Sequence, residues 1–305
     1  MRSEFARFTG KTALYLLLFS LPILGLEIML RQPAIDSYAF KRQLMEGNLA
    51  GNEILIIGNS LAWSGINPDS LGPKCINVAN FEQAFYSDYK ILEKYLPQSP
   101  KLKTVIMPVS VETCFSKPDP RSEQSYSAYW GIEPHDKVRK LEHYSAVMIY
   151  GFWPGIKKLF ETGEETNGRG WGSTTTAYQY DPGAVEEKMQ RIESLLEEDN
   201  FQASTADLQR IVNICRENGV RLILYIPPFT QGLSRELEAK PNYRQMLDFL
   251  DSISRQGGAE VLDLRNDSLF ADLLFRDVNH LNVEGSKVLS GLIAKAVHQP
   301  ISAAN

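Results

Sequence analysis

Three side chains in this sequence have the types and contexts that acyl chemistry needs. Ser60 lies in ILIIGNSLAW, residues 54–63, where four aliphatic residues run into Gly-Asn-Ser. It is either a small polar turn residue or a nucleophile held at the end of a strand. A serine hydroxyl is a weak nucleophile unless a base lies within hydrogen-bond reach and a third group orients that base. The stretch FRDVNHLNVEGSKVLSGLIAKAV supplies both, with Asp277 three residues before His280. In a tight loop that separation lets the carboxylate meet one ring nitrogen and leaves the other to face a serine. Of the four histidines, His135 and His143 lie in an irregular region and His298 lies near the C-terminus, so His280 is the candidate base.

Positioning these groups requires a scaffold, and the hydrophobic pattern describes one. Short aliphatic runs end at Gly58, Ala79, Ser110, Pro227 and Leu264. Between them, residues 84–96, 183–198, 206–219 and 243–258 carry apolar residues at three- and four-residue spacing, with Gly219 and Gly257 at expected helix ends. Continuously apolar strands alternating with amphipathic helices predict an α/β fold with a parallel sheet covered on both faces. Such a fold places its site at the carboxyl ends of the strands. Ser60 falls at one such end and Ser110 at another. Asn282 is suited to cap a last helix that buries Val283, Leu289, Leu292, Ile293 and Ala296.

Residues 12–30, TALYLLLFSLPILGLEIML, are apolar apart from Glu27 and long enough to cross a hydrocarbon core. Arg2, Arg7 and Lys11 precede them, which predicts a cytoplasmic N-terminus and an extracytoplasmic, periplasmic remainder anchored in the inner membrane. No small-residue cleavage pattern follows the apolar run, so it reads as an uncleaved anchor. The expected organisation is therefore an anchor over residues 1–31, a polar linker over 32–51, and one catalytic domain over 52–300. That domain carries an insertion at about 111–180 in which Trp130, Trp153 and Trp171 cluster with many tyrosines. It reads either as a lid or binding surface or as an aromatic mini-core. A net charge of −5 gives no general grip on polyanions, which argues against nucleic acid as a partner. Cys75, Cys114 and Cys215 show no metal-type spacing, and no cluster of His, Cys, Asp and Glu implies a metal or other cofactor.

The two blocks IIGNSLAWSGINPDSL and DVNHLNVEGSKVLS resemble the first and last blocks of the SGNH/GDSL hydrolases, with Asn59 where many members have Asp. The chain is most similar to the membrane-anchored bacterial subgroup related to proteins of alginate O-acetylation and teichoic acid D-alanylation. The resemblance implies a three-layer α/β/α, flavodoxin-like fold with an N-terminal transmembrane helix. It implies Ser60 as nucleophile, His280 as general base and acid, and Asp277 as its orienting carboxylate. The substrate class it implies is an acylated cell-envelope glycan, with a multi-spanning membrane O-acyltransferase as partner.

The family builds its oxyanion hole from the nucleophile's N–H, a second-block glycine and a third-block asparagine, and here the sequence departs from the pattern. Gln83 matches the second block, but Glu82 stands in the preceding position, where related anchored proteins tend to have Gly. A carboxylate beside a developing oxyanion would oppose catalysis. No Gly-x-Asn-Asp follows Ser110, so Ser110 and Asn80 are the candidate replacement donors. NGRGWGSTT, residues 167–175, fits neither a phosphate loop nor a dinucleotide fingerprint, and reads as a lid segment carrying Trp171 toward a sugar or as a plain turn. With its oxyanion hole lost, the same cleft would serve a non-catalytic glycan-binding or acyltransferase-partner protein.

Overall fold

The protein is described here from a computed structural model covering residues 2–138, 140–161 and 166–299, with side chains from Glu4 onward. The Arg2 side chain and residue 300, the expected end of the catalytic domain, lie outside the described residues. The chain opens with α1 (Arg2–Leu30) and α2 (Ser37–Asn48), then β1 (Ile54–Ile56), α3 (Ser60–Gly65), β2 (Cys75–Asn77) and α4 (Phe85–Tyr95). It continues through β3 (Thr104–Pro108), α5 (Val111–Phe115), α6 (Pro120–Ser125), α7 (Ala146–Tyr150) and α8 (Phe152–Lys158). The remainder alternates α9 (Pro182–Glu193), α10 (Glu198–Glu217), β4 (Arg221–Ile226), α11 (Gln231–Glu238), α12 (Pro241–Arg255), β5 (Glu260–Asp263) and α13 (Val283–His298).

Among the described residues two compact units divide these elements, one within residues 1–40 and 123–163, the other within residues 41–122 and 164–305. The larger unit holds a five-stranded, fully parallel sheet in the order β2-β1-β3-β4-β5. Register pairs Leu55 with both Ile76 and Val105, Ile106 with Ile223, and Leu224 with Val261. Every residue of β1, β2 and β3 is buried, which is why these segments read as unbroken aliphatic runs rather than alternating ones. Ile54, Ile56, Ile106, Ile223 and Tyr225 pack in one core with Trp63 of α3 and with Leu289 and Ile293 of α13. The alternate strand residues Leu55, Val105 and Leu224 point to the other face, where α4 and α10 pack together and α10 meets β4. The result is the expected α/β/α sandwich. Its strand order reverses direction between β1 and β3, and in open parallel sheets that switch point is where ligands bind.

The smaller unit contains α1 together with α7 and α8, which both pack on it. α1 is the one described helix long and apolar enough to cross a membrane, and its flanks are bare: Phe8, Leu16 and Phe19 are each at least two-thirds exposed. Trp130 and Tyr126 are buried, their rings tilted against each other with centroids 5.9 Å apart, so this part of the insertion is an aromatic mini-core. The described residues within 123–163, part of the insertion expected at about 111–180, group with the N-terminal helix in this unit.

Residues 32–51, expected to form a polar linker, are helical from Ser37 to Asn48 and bury Ala39, Leu44 and Met45. The polar reading failed at Lys41, which is wholly buried although it is charged by type. Its Nζ donates to the carbonyl of Asn77 at 2.7 Å and to that of Gly170. Asn77 N in turn donates to Arg169 O at 2.9 Å, so residues 169–170 cover the open edge of β2. Gly170 sits at φ +92°, and a Cβ there would lie 2.0 Å from Asn77 O. NGRGWGSTT is therefore a turn and an edge cover, and glycine is required by close backbone approach rather than by lid motion.

Candidate active site

The sheet brings residues from opposite ends of the chain to the switch point. β1 ends at Ile56, and Gly58, at φ +108°, turns the chain where a Cβ would strike Pro108 Cδ of β3 at 2.5 Å. Asn59 then caps α3, its side chain accepting from Leu61 N at 3.1 Å. Ser60 is consequently the first residue of α3. Its backbone N–H belongs to the group of helix-opening donors that have no acceptor within the helix.

The histidine loop is built with similar economy. Asp277 Oδ1 accepts from the backbone N–H of Asn279 at 3.0 Å and of His280 at 2.8 Å, which closes the turn. The same carboxylate receives the imidazole Nδ1 at 2.9–3.0 Å. Around it, Arg276 N donates to His280 O at 2.8 Å, and Phe275 and Leu281 form an antiparallel bridge. Asn282 caps α13 by accepting from Glu284 N and Gly285 N. Thr230 Oγ1 holds the Val278 carbonyl from the β4 end at 3.0 Å.

His280 Nε2 lies 2.8 Å from Ser60 Oγ. Burial would raise the Asp277 pKa, but the hydrogen bond and charge of His280 and the two backbone donors outweigh it and hold the carboxyl at about 2. An ionised Asp277 keeps the ring proton on Nδ1, which leaves the Nε2 lone pair facing the serine hydroxyl.

A cleft of ≈ 140 Å³ opens over this pair, lined by Asn59, Ser60, Phe81, Glu82, Gln83, Asn279 and His280. Glu112, Thr113, Ser116, Lys117, Lys188 and Arg191 complete its lining. Glu82 adopts φ +50°, the left-handed conformation in which glycine is at home, so the chain keeps the glycine-type turn expected of a second block without the glycine. Its carboxylate is bound by Arg191 at 2.6 Å, and Glu112 by Lys188 at 2.7 Å. The carboxylate that threatened the oxyanion is thereby paired with a guanidinium.

The remaining candidates divide. Asn59 and Gln83 are in the cleft wall. Asn80 and Ser110 are buried and outside it, because Asn80 Oδ1 accepts from Phe81 N and Ser110 closes a capping box with Thr113 at the start of α5. Trp171 is also outside it, its indole N–H donating to Ser64 O at 2.9 Å. Sequence reasoning missed Asn279, Lys188 and Arg191 in the wall. It also missed Asp88, buried beneath it, whose Oδ1 accepts from Gly58 N at 2.9 Å and from Gln83 Nε2. Burial pushes the Asp88 carboxyl up to about 8 against the pull of Gln83 and Gly58. Among the described residues no group of His, Cys, Asp and Glu is arranged to hold a metal, and all three cysteines are free and buried.

No family model matches the sequence, and no curated protein sequence does. Among solved structures the chain is similar to a GDSL-like lipase from Bacteroides thetaiotaomicron VPI-5482, at 10% identity over 87% of this chain and 100% of that one, with a TM-score of 0.45. It is also similar to a catalytic mutant of an acetylxylan esterase from Geobacillus stearothermophilus, at 13% identity over 81% and 94% with a TM-score of 0.38. An α/β hydrolase enzyme from the Lake Arreo metagenome aligns at 12% identity over 81% and 94%, with a TM-score of 0.37. Likeness this remote does not transfer chemistry, so the functional reading rests on the geometry of Ser60, His280 and Asp277.

Proposed function

We propose that this chain is an SGNH-type serine esterase or O-acyltransferase that acts on short acyl groups of a cell-envelope polysaccharide, anchored by α1 with its sheet domain on the extracytoplasmic side. The observation that carries the reading is the contact of Ser60 Oγ with His280 Nε2 at 2.8 Å, backed by Asp277 on Nδ1. Ser60 Oγ attacks the ester carbonyl carbon while Nε2 takes its proton. The tetrahedral intermediate collapses, the C–O bond to the leaving alcohol breaks, and Nε2 returns the proton to that oxygen. Water or a sugar hydroxyl then attacks the acyl-serine, its proton passing to Nε2 and on to Ser60 as the new ester or acid departs. The Ser60 N–H is the first oxyanion donor, and the cleft wall offers Asn59, Gln83 and Asn279 nearby.

The cleft volume of ≈ 140 Å³ supports a short acyl group over a long chain, since sites for drug-sized ligands run to about 300–1,000 Å³. The charged residues in its wall, Lys188, Arg191, Glu112 and Glu82, suit a polar acceptor such as a glycan. A second reading, a non-catalytic glycan-binding partner of a membrane acyltransferase, is favoured by the commitment of Ser110 and Asn80 elsewhere. Turnover separates the two. The full chain in detergent should hydrolyse p-nitrophenyl acetate faster than p-nitrophenyl palmitate and lose this activity on Ser60→Ala. Equal residual rates for both proteins would leave only the binding role.

A further inference from the structure

Within the smaller unit, Glu27 and its neighbours fix how α7 and α8 sit on the end of α1. The Glu27 carboxylate accepts from Ser145 Oγ at 2.8 Å, Ala146 N at 3.1 Å and Val147 N at 2.9 Å, and so receives the start of α7. Arg31 completes the pairing at 2.5 Å. One turn along, Gly155 of α8 lies so close to Leu26 and Leu30 that a Cβ there would meet their methyl groups at 3.5 and 3.1 Å. Both short helices therefore dock at the level of residues 26–30.

That level has a physical meaning if α1 crosses a membrane. The uncharged run between Lys11 and Glu27 has 15 residues. At 1.5 Å per residue it spans about 22 Å, short of the roughly 30 Å of a hydrocarbon core. The apolar helix continues beyond this run at both ends, over Glu4–Leu30, so the bilayer boundary falls near Glu27, a carboxylate tolerable there because α7 and Arg31 satisfy it. Whatever docks at residues 26–30 lies in the interfacial layer.

The side chains there match that layer. Trp153 is 76% exposed and Phe160 83%, and Leu141, Tyr144 and Met148 each leave more than half their surface bare. Lys157 and Lys158 stand between the two aromatics, Lys157 near Glu161 at 3.7 Å and Lys158 over the Tyr150 ring. Large aromatics beside lysines, left uncovered next to an apolar span, are the composition of a bilayer interface rather than of a water-facing loop.

We propose that residues 141–160 are a second membrane contact, lying in the headgroup layer of the bilayer that α1 crosses, with Trp153 and Phe160 at the boundary with the acyl chains. The contact rests on the reading of α1 as a membrane span. It would hold α1 at two points and prevent the smaller unit from turning freely about a single helix.

The test uses the full chain reconstituted in phosphatidylcholine–phosphatidylglycerol liposomes, with Trp153→Phe as the reference. Flotation with the liposomes after an alkaline carbonate wash reports the span. The difference in emission between wild type and Trp153→Phe reports Trp153 alone. The proposal expects that emission to be blue-shifted, quenched by lipids with brominated acyl chains and little affected by aqueous iodide. Flotation with a red-shifted, iodide-quenched Trp153 that ignores bromine would overturn the second contact while keeping the span, and would indicate a protein partner for this surface. Failure to float would overturn both.

Discussion

The Gly58 amide donates to the Asp88 carboxyl at 2.9 Å, which ties α4 to the chain two residues before the candidate nucleophile. Asp88 is fully buried and its Oδ2 has no hydrogen-bond partner. A carboxyl in that setting resists ionisation, which is why burial lifts it to about 8. Since the folded value exceeds the unfolded one, folding binds a proton between about pH 4 and pH 8. The group's contribution to stability is therefore greatest at the acid end of that window and declines as pH rises through it. Asp88→Asn, which keeps the acceptor for Gly58, should gain on wild type in urea midpoint as pH is raised from 5 to 8. Parallel midpoints across that range would contradict the assignment.

The opposite sign applies to Asp277. Its folded value of about 2 lies below the ordinary carboxylate range, so its stabilisation is fully present above about pH 4 and is lost as pH falls toward 2. Asp277→Asn should accordingly differ from wild type in thermal midpoint at pH 5, with the difference shrinking between pH 4 and 2. Its turnover should fall by roughly 10³–10⁴-fold at neutral pH, because an amide facing Nδ1 no longer holds the ring proton there. Loss of less than tenfold would place the orienting role elsewhere.

Glu82 and Gly170 are both at positive φ, and the structure predicts opposite responses to substitution there. Glu82→Gly relieves a left-handed conformation costing about 1 kcal/mol, and removes a half-exposed pair with Arg191 of about the same size or less, so stability should barely move. Gly170→Ala, by contrast, drives a methyl group into Asn77 O and the Lys41 ammonium in a buried edge contact. It should cost upwards of about 2 kcal/mol. Chemical denaturation of the two variants checks both, and a Gly170→Ala protein as stable as wild type would refute the edge cover.

How much of this could be read from the sequence depends on whether a residue's neighbours lie near it in the chain. The strands ending near Gly58, Ala79, Ser110 and Pro227 were legible because full burial leaves uninterrupted aliphatic runs. Asp277 and His280 were legible because one local turn creates their contact. α2 was not, since Lys41 finds its partners at Asn77 and Gly170, far away in sequence. Asp88 carries no local signal of its own, and only the fold brings it to the Gly58 amide of the nucleophile loop. Ser110 was misjudged for the reverse reason: its position at a strand end suggested a donor, while its local capping box with Thr113 had already taken the hydroxyl.

The charged wall gives a further check on the cleft. Arg191 bonds Glu82 at 2.6 Å and approaches Glu112 at 3.5 Å, so Arg191→Ala leaves the Glu82 carboxylate uncompensated, and Glu112 with Lys188 alone, close to the site of oxyanion formation. The variant should lower kcat more than it raises KM for a neutral ester, and Glu82→Gly in the same protein should restore part of the loss. Unchanged kcat in Arg191→Ala would show that the wall does not sense the transition-state charge.

The central claim is that His280 activates the Ser60 hydroxyl. It is tested most directly by incubating the full chain with a fluorophosphonate and locating the adduct by mass spectrometry. A single phosphonyl group on Ser60, absent in Ser60→Ala and formed far more slowly in His280→Ala, is the predicted result. An unmodified Ser60 in wild type, or labelling at the same rate without His280, would contradict it.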